Sequence, residues 1–503
     1  VAPMTDLLNN LILGFSVALT PINLLYCFIG ASLGTLIGVL PGIGPIGTIA
    51  MLLPATFALP PVSALIMLAG IYYGAQYGGS TTAILVNLPG ESSSVVTCLD
   101  GYAMARQGRA GPALAIAALG SLFAGCVGTL LIVLFGPPLA ELALKFAAPE
   151  YTSLMILGLV CAAVLAHGSL IKAIAMVILG LLLGLVGTDV YSGMARFTFG
   201  IWALNDGIGF VVVAMGLFGF AEIVSSLEQK EKRELFTSEV RGLWPTRADF
   251  KASWGAIMRG TAVGSILGLV PGSGPIICSF ASYTVEKLLA KDPSRFGKGA
   301  IEGVAGPESA NNAAAQTTFI PMLTLGIPGT ATMALMLGAL MIHGIPPGPQ
   351  VMTQHPELFW GLIASMWIGN LILVLLNLPL IGIWVRVLTI PYRFLYPAIL
   401  LFSCVGIYSL SNSALDVVLA ALFGLLGYLF IKLGCEPAPL LLGFILGPLM
   451  EQNLRRALLI SRGDPTIFLT RPMSLAFLLA AAFMLFVMIA PAIRRRREEV
   501  FQE

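Results

Sequence analysis

The chain has 503 residues, of which 57% are hydrophobic and only 10% are charged, and its formal net charge is +2. Soluble proteins carry about a quarter charged residues, so this composition excludes an ordinary soluble protein and indicates an all-α polytopic membrane protein. The Lys and Arg residues lie in short loops, and the seven cysteines are scattered without a C-x-x-C pair. These patterns indicate no nucleic-acid partner, disulfide framework or transition-metal site.

In chain order, the sequence divides into five predicted segments. They are an N-terminal interfacial arm helix (1–20), a first repeat (21–227), a polar cytoplasmic linker (228–252), a second repeat (253–435), and C-terminal helices with a basic cytoplasmic tail (436–503). Uncharged runs lie at 7–90, 110–140, 358–385, 394–415 and 472–493. Each run is long enough to cross a membrane, which takes about 20 residues of helix.

Two pairs of similar stretches divide the chain into two copies of one unit. GTLIGVLPGIGP at 34–45 recurs as GSILGLVPGSGP at 264–275. GGSTTAILVNLPGE at 78–91 then corresponds to AAQTTFIPMLTLGIPGT at 314–330. Stretches this rich in Gly and Pro rarely recur by chance. Small residues allow close helix packing, which is the interpretation we favour for Gly34, Gly38, Gly264 and Gly268.

Loop charge indicates how the two copies are oriented. Residues 56–63 and 343–356 contain no Lys or Arg, whereas the loops that correspond to them in the other copy carry Arg106, Arg109, Lys287, Lys291, Arg295 and Lys298. Because Lys and Arg favour the cytoplasmic side, equivalent loops are expected on opposite sides of the membrane. This predicts inverted-topology repeats, which are typical of secondary transporters. A tandem duplication with accidental loop charges is the alternative.

Each copy contains two predicted helix breaks. Pro-Gly-x-Gly-Pro lies at 41–45 and 271–275, and Leu/Ile-Pro-Gly lies at 88–90 and 327–329. Irregular backbone at membrane depth is tolerated where it is buried in protein or lines a cavity, so we predict broken or re-entrant helices around a site. Turns at the membrane surface are the alternative. We further expect an elevator-type arrangement, with a transport domain of 41–107 and 271–346 and a scaffold of 110–136, 357–385 and 394–433.

A helix that restarts after such a break presents hydroxyl caps and free N–H groups, which suit an anion such as a carboxylate. The predicted substrate-binding residues are Asn87, Pro89, Gly90, Ser92, Ser93, Asn311, Asn312, Pro328, Gly329, Thr330 and Thr332. Neutral oxygens and unwound carbonyls suit Na⁺. The predicted cation-binding residues are Thr81, Thr82, Thr317, Thr318, Thr324, Gly42, Gly44, Gly272, Ser273 and Gly274. Some of these hydroxyls are instead expected to bond back to their own helices.

Glu308 is an ionisable residue in an apolar region, followed closely by Asn311 and Asn312. Such a residue is a site candidate by default. The competing interpretation places Glu308 after Pro307 at a helix N-terminus near the cytoplasmic surface. The sequence leaves both interpretations open.

Catalytic and nucleotide-binding patterns do not account for this chain. Gly42, Gly44 and Gly47 match G-x-G-x-x-G, but no acidic residue lies about 20 positions on, as a dinucleotide site requires. There is no Walker A sequence and no Ser/His/Asp set. An intramembrane enzyme is therefore disfavoured and no organic cofactor is expected. An anion channel, or a carboxylate carrier of another, non-tripartite kind, remains an alternative.

Four stretches carry a resemblance to a known family: YYGAQYGGSTTAILVNLPGE, LDGYAMARQGRAGPALAIA, GKGAIEGVAGPESANNAAAQTTFIPMLTLGIPGT and GALMIHGIPPGP. Over nearly its whole length, the chain resembles the large membrane subunit of the tripartite tricarboxylate transporters, the TctA family. The resemblance implies a multi-pass importer in the bacterial inner membrane, driven by a Na⁺ or H⁺ gradient. It implies citrate-like tricarboxylates or related di- and aromatic carboxylates as substrates. It also implies two partners, a small TctB-like membrane subunit and a periplasmic TctC-like binding protein.

Overall fold

The computed structural model describes residues 4–40, 44–166, 169–189, 191–228, 242–270, 272–387 and 392–489. Four places that the sequence analysis singled out lie wholly or largely outside these ranges. They are Pro41–Gly42, Pro271, the polar linker from 229 to 241, and the basic tail from 490 onward. Nearly all regular structure in the described residues is helical, as the composition predicts.

The first half of the chain contains eleven α-helices among its described residues. They are α1 (Met4–Ala18), α2 (Pro21–Val39), α3 (Gly44–Thr56), α4 (Pro61–Val86), α5 (Val95–Thr97), α6 (Ala103–Arg106), α7 (Ala110–Ala143), α8 (Ala148–Leu165), α9 (Leu170–Gly184), α10 (Phe210–Ala214) and α11 (Ala221–Glu228). Short 3₁₀ helices lie at Ser92–Ser94 and Trp202–Leu204, and π-helical turns lie at Cys98–Tyr102 and Met215–Phe220. A small antiparallel hairpin pairs β1 (Gly187–Thr188) with β2 (Ala195–Arg196), Gly187 opposite Arg196.

The second half of the chain contains thirteen α-helices among its described residues. Its described helices are α12 (Arg247–Gly268), α13 (Gly274–Leu289), α14 (Glu302–Thr317), α15 (Phe319–Leu325), α16 (Ala331–Ile342), α17 (Gln350–Gln354), α18 (Pro356–Asn377), α19 (Ile381–Val387), α20 (Tyr392–Ser411), α21 (Ala414–Lys432), α22 (Ala438–Ile460), α23 (Ile467–Thr470) and α24 (Pro472–Ile489). One 3₁₀ turn, Pro293–Arg295, precedes α14.

Within the described residues, the helices α2, α7, α18 and α21 are long and apolar enough to cross a membrane. The uncharged runs predicted as spans coincide with α7, α18, α20 and α24. Several other helices, such as α3, α8 and α9, are apolar but shorter. The chain is therefore a helical membrane protein, with the two-stranded hairpin as a small addition to the predicted all-α class.

Glycines bring the first two long helices of each copy into close contact. A Cβ atom added at Gly34 of α2 would lie 2.5 Å from the carbonyl oxygen of Ile71 in α4. At the equivalent Gly264 of α12, an added Cβ would overlap the carbonyl oxygen of Ala310 in α14. The same holds for Gly38 and Gly268, which face the backbone of α4 and the Thr317 side chain of α14. The interpretation of these glycines as helix-packing residues is confirmed.

Helix α7 of the first copy and helix α18 of the second copy each pack on the central helix of the other copy. In α7, Gly128 lies against Ala313 and Gln316 of α14. In α18, Gly369 lies against the Tyr73 ring of α4. This crosswise packing surrounds α4 with protein along almost its whole length, from Ser63 to Leu85. The polar residues of α4 are therefore in the core of the protein, away from lipid.

The loops that connect the helices contact one another in two separate groups. Gln107 donates from Nε2 to the carbonyl oxygen of Lys298 at 2.8 Å, and Arg109 forms an ion pair with Asp249. His343 instead lies beside the backbone of Thr56. The loop after the first motif of one copy thus meets the loop after the second motif of the other copy.

Candidate functional site

The second break of each copy ends a helix with a left-handed residue. Asn87 (φ 56°) ends α4, and Gly326 (φ 72°) ends α15. This is an ordinary way to end a helix. The chain then restarts differently in the two copies. Thr330 accepts a hydrogen bond at Oγ1 from the Met333 amide at 3.2 Å, as predicted.

In the first copy the cap is a carboxylate and not the predicted serine hydroxyl. Glu91 accepts a hydrogen bond at Oε2 from the amide of Ser93 at 2.8 Å. Because Glu91 precedes Ser92 and Ser93, its longer side chain reaches this amide from the cap position. The prediction of a hydroxyl cap is correct for Thr330 and wrong for the first copy.

Within each copy, the second break contacts the residues of the first motif. The amide of Gly272 donates to the carbonyl oxygen of Gly329 at 2.6 Å. In the first copy, a Cβ atom at Gly90 would overlap the carbonyl oxygen of Gly38. Gly90 is therefore required for packing against α2, and an alanine there would collide with protein backbone before it met a ligand.

A cavity of about 300 Å³ lies where the two copies meet. From the second copy it is lined by Gly272–Ile277 at the start of α13 and by Gly329–Thr332 at the start of α16. From the first copy it is lined by Ile46, Tyr72 and Glu91. Helix N-termini present free N–H groups and a positive dipole end, so the two starts together suit a carboxylate.

The charged groups of this cavity are acidic. Glu91, Glu222 and Glu436 line it, and its described lining contains no Lys or Arg. An anion bound here would rely on backbone N–H groups and on hydroxyls such as those of Ser273 and Thr330. Like charges repel strongly in a poorly screened site. A carboxylate ligand would therefore bind most readily together with a proton or a metal cation.

A line of polar side chains runs from the cavity along one face of α4. Tyr72, Gln76 and Ser80 are spaced four residues apart, so they lie one above another over about 12 Å. Tyr72 lines the cavity, Gln76 accepts a hydrogen bond from the Ser93 hydroxyl, and Ser80 donates to the Glu308 carboxylate. This line connects the cavity with Glu308.

Glu308 lies in the interior of α14 and is fully buried. Its carboxylate accepts hydrogen bonds from Ser80, Thr97 and, at 3.2 Å, Asn311. The interpretation of Glu308 as a surface residue at a helix N-terminus is wrong, because α14 begins at Glu302 and continues through Pro307. The interpretation as a buried ionisable group at a site is the one that remains.

The threonines predicted to hold a cation donate to backbone carbonyls. Four of them bond to their own helices, namely Thr81 to Tyr77 (3.4 Å), Thr317 to Ala313 (3.1 Å), Thr318 to Ala315 (3.1 Å) and Thr324 to Ile320 (2.7 Å). Thr82 bonds to Val39 of α2 at 2.9 Å. Donating the hydroxyl hydrogen leaves the oxygen lone pairs free, so these bonds are compatible with cation binding without assembling a site.

The predicted substrate residues occupy three different environments. Gly329, Thr330 and Thr332 line the cavity, together with Gly272, Ser273 and Gly274 from the cation set. Asn87, Pro89 and Ser92 are exposed, while Ser93, Pro328 and Gly90 are buried outside the cavity lining. Asn312 donates to Ser121 at 2.8 Å and to the Glu308 carbonyl at 3.0 Å, so Asn311 and Asn312 both belong to the Glu308 cluster. Gly44 begins α3 with φ 62°.

The model of the "Tripartite tricarboxylate transporter TctA family" matches residues 24–442. The chain belongs to the TctA family. It is 60% identical over 500 residues to a protein of Agrobacterium vitis described as an uncharacterized 52.8 kDa protein in TAR-I ttuC' 3'region, covering 99% of this chain and 100% of that protein. It is also 60% identical over 240 residues to an uncharacterized protein in TAR-II ttuC' 3'region of the same organism, covering 48% of this chain and 99% of that protein. No solved structure matches it.

Membership of the TctA family confirms the resemblance seen in the sequence and assigns the chain to a family of transporters, not of enzymes. Among the described residues, no group of three or more His, Cys, Asp or Glu side chains is arranged to hold a metal ion.

Sequence reasoning missed several residues of these two places. They are Tyr72, Gln76, Ser80, Glu91, Thr97 and Glu222. Two signals were present in the sequence. Glu91 is the first charged residue after the uncharged run from Leu7 to Gly90, and Tyr72, Gln76 and Ser80 follow a four-residue spacing within an apolar helix.

Proposed function

We propose that this TctA-family protein imports a carboxylate substrate and binds it in the cavity between the two copies. The observation that carries the proposal is that the N-terminal starts of α13 and α16, which present free N–H groups, open into one cavity between the two copies. Its volume of about 300 Å³ is at the small end of the range for small-molecule sites, which suits a compact polycarboxylate. The family's description supports tricarboxylates such as citrate, and related di- and aromatic carboxylates are included because the sequence resemblance implies them.

A Na⁺ or H⁺ gradient drives the import in this proposal. Glu91 and Glu222 line the same cavity as the proposed substrate, so the bound anion and these carboxylates repel one another. A cation or proton that binds with the substrate removes this repulsion. Substrate import is then coupled to cation or proton import, because the two bind together and balance the charge of the cavity.

The transport cycle is proposed to use inverted repeats that move as an elevator-type transport domain against a scaffold. The crosswise packing of α7 on α14 and of α18 on α4 supports the inversion. So does the contact of Gln107 with Lys298, since these loops follow non-equivalent motifs. Inverted repeats commonly place the substrate site at their interface.

Two further parts of the proposal rest on the family. The chain works with a small TctB-like membrane subunit and with a periplasmic TctC-like binding protein that delivers the substrate. Its location is the bacterial inner membrane, which it crosses several times. These statements are supported by the tripartite description of the family.

The test is uptake by proteoliposomes that contain the chain and its small subunit, supplied with binding protein carrying labelled citrate. We expect accumulation above the external concentration under an inward Na⁺ or H⁺ gradient, and loss of accumulation when an ionophore collapses that gradient. Thr330→Val removes the α16 cap and a cavity hydroxyl, so uptake should fall about five- to tenfold, the equivalent of one hydrogen bond. The control Thr353→Val alters an exposed threonine of α17 and should leave uptake unchanged.

Two results would contradict the proposal. Citrate flux that only equilibrates across the membrane would indicate an anion channel, because a channel cannot accumulate substrate uphill. Equal uptake by the Thr330→Val and Thr353→Val proteins would place the substrate outside this cavity.

A further inference from the structure

A second, much smaller cavity lies in the core between α4, α7 and α18. Its volume is about 10 Å³, room for about one water-sized particle. Five polar side chains line it: Tyr77, Ser80, Thr81, Ser121 and Asn377. The rest of its lining is Ala and Leu. The five polar side chains therefore surround one small space within an apolar region.

One of these side chains has an unused acceptor. Asn377 is 4% exposed, and its Nδ2 donates to the Leu373 carbonyl at 2.9 Å and to the Thr35 hydroxyl at 3.3 Å. Its Oδ1 has no hydrogen-bond partner among the described residues. An unpaired buried acceptor costs free energy, and a ligand in the small cavity would remove that cost.

The small cavity is one hydroxyl away from the Glu308 carboxylate. Ser80 lines the cavity and donates to Glu308 Oε2. Ser121 also lines it and lies 3.4 Å from the Glu308 carbonyl oxygen. A hydroxyl that donates to a carboxylate is polarised, which makes its oxygen a better ligand for a cation on the other side.

Among the described residues, no positive side chain pairs with Glu308. Its partners Ser80, Thr97 and Asn311 are neutral, and none of the ion pairs among the described residues includes it. A buried carboxylate without a counter-charge is strongly unfavourable. A cation in the small cavity would supply such a counter-charge, whereas water there would satisfy Asn377 only.

We propose that the small cavity is a Na⁺ site, with oxygens of Tyr77, Ser80, Thr81, Ser121 and Asn377 around the ion and the Glu308 carboxylate as its counter-charge. Hard cations bind oxygen ligands of this kind. The site deepens the proposed function, since it names the coupling ion and its location. Thr81 was predicted from the sequence to bind a cation. The other polar residues of the small cavity, and the role of Glu308, are inferred from their positions in the structure.

The experiment measures thermal unfolding of the purified full chain in detergent while NaCl replaces KCl at constant ionic strength. Because a ligand that binds only the folded state stabilises it, we expect the Tm of the wild type to rise with Na⁺ and to saturate. Glu308→Gln should lose this rise. Its control is Glu302→Gln, which changes a partly exposed residue of the same helix that pairs with Arg295. This variant should keep the Na⁺-dependent rise in Tm.

A second pair of variants covers the case in which Glu308→Gln fails to fold. Thr81→Val removes one hydroxyl of the small cavity and should weaken the Na⁺-dependent rise in Tm. Thr129→Val removes an equally buried hydroxyl that bonds only within α7, to Gly125, and should not change it. A wild type with the same Tm in NaCl and KCl would overturn the proposal, and so would an unchanged Na⁺ response in Glu308→Gln.

The measurement needs no transport, so it separates the two proposals. Saturable Na⁺ binding without citrate uptake would overturn the proposed function and leave the Na⁺ site standing. Cation-coupled uptake by a protein whose Tm ignores Na⁺ would overturn the site and leave the function standing.

Discussion

At Gly264 the lack of a side chain determines how closely α12 approaches α14. An added Cβ would overlap the carbonyl oxygen of Ala310, and backbone cannot move as easily as the end of a side chain. Overpacking of this kind costs about 1–3 kcal/mol. We therefore predict that Gly264→Ala lowers the Tm of the purified protein by several degrees.

The control for this prediction is Gly382→Ala in α19. A Cβ at Gly382 has nothing within 4 Å, and alanine favours helix over glycine. Its Tm should stay the same or rise slightly. A Gly264→Ala protein as stable as the wild type would show that α12 and α14 are not in close contact.

The sequence predicts the structural role of some residues better than that of others. Gly34 and Gly264 were predictable because close helix packing requires a small residue and the repeat shows the requirement twice. Thr317 as a cation ligand stays a prediction, since its hydroxyl donates to the Ala313 carbonyl of its own helix and keeps its oxygen lone pairs free. A helix always offers such a carbonyl, and the residue type alone does not show which partner the hydroxyl takes.

At the scale of secondary-structure elements, one ion pair joins helices α12 and α13. Arg259 donates from Nε and Nη2 to the two carboxylate oxygens of Glu286, at 2.8 and 2.6 Å. The Glu286 side chain is only 2% exposed, whereas that of Arg259 is 44% exposed. Arg259→Gln would leave a buried carboxylate unpaired, which should cost about 1–3 kcal/mol after allowance for solvent at Arg259.

The comparison uses a similar pair that is exposed. Arg295 and Glu302 are 53% and 21% exposed, and exposed pairs contribute about 0–1 kcal/mol. Denaturant unfolding should therefore show a clear loss of stability for Arg259→Gln and almost none for Arg295→Gln. Equal losses would mean that burial of Glu286 does not control the strength of the pair.

Among the elements, the long apolar helices and the breaks were predictable, because charge-free runs and Pro-Gly motifs have few other uses in a membrane. The hairpin of β1 and β2 was missed, since strands of two residues leave no alternating pattern. The first-copy cap was mispredicted because Glu91 reaches the Ser93 amide ahead of the serines. Side-chain reach at a cap depends on local geometry that residue type does not specify.

For the whole molecule, the sequence predicted two copies with their second breaks around one site, but not which other residues line it. The cavity brings Ile46, Tyr72 and Glu91 together with the starts of α13 and α16, and these residues are far apart along the chain. The packing of α7 on α14 and of α18 on α4 also joins the copies. Any movement of 41–107 and 271–346 against these two helices must slide at those glycine contacts.

In the proposed transport cycle, this one cavity opens to both sides of the membrane in turn. Thr332 lines the cavity and makes no side-chain hydrogen bond of its own among the described contacts, so Thr332→Cys is a mild probe once the seven native cysteines are replaced.

Cysteines at two loop positions distinguish the periplasmic side of the membrane from the cytoplasmic side. We expect Gln350→Cys to react only from the periplasm and Asp292→Cys only from the cytoplasm, as loop charge predicts.

The most direct measurement is the reaction of Thr332→Cys with a membrane-impermeant thiol reagent in right-side-out and inside-out vesicles, with and without citrate-loaded binding protein. We predict labelling from both sides, each with a rate that changes with the ion gradient, and protection from labelling by bound substrate. Labelling from one side only under every gradient, or labelling that substrate leaves unchanged, would contradict the account.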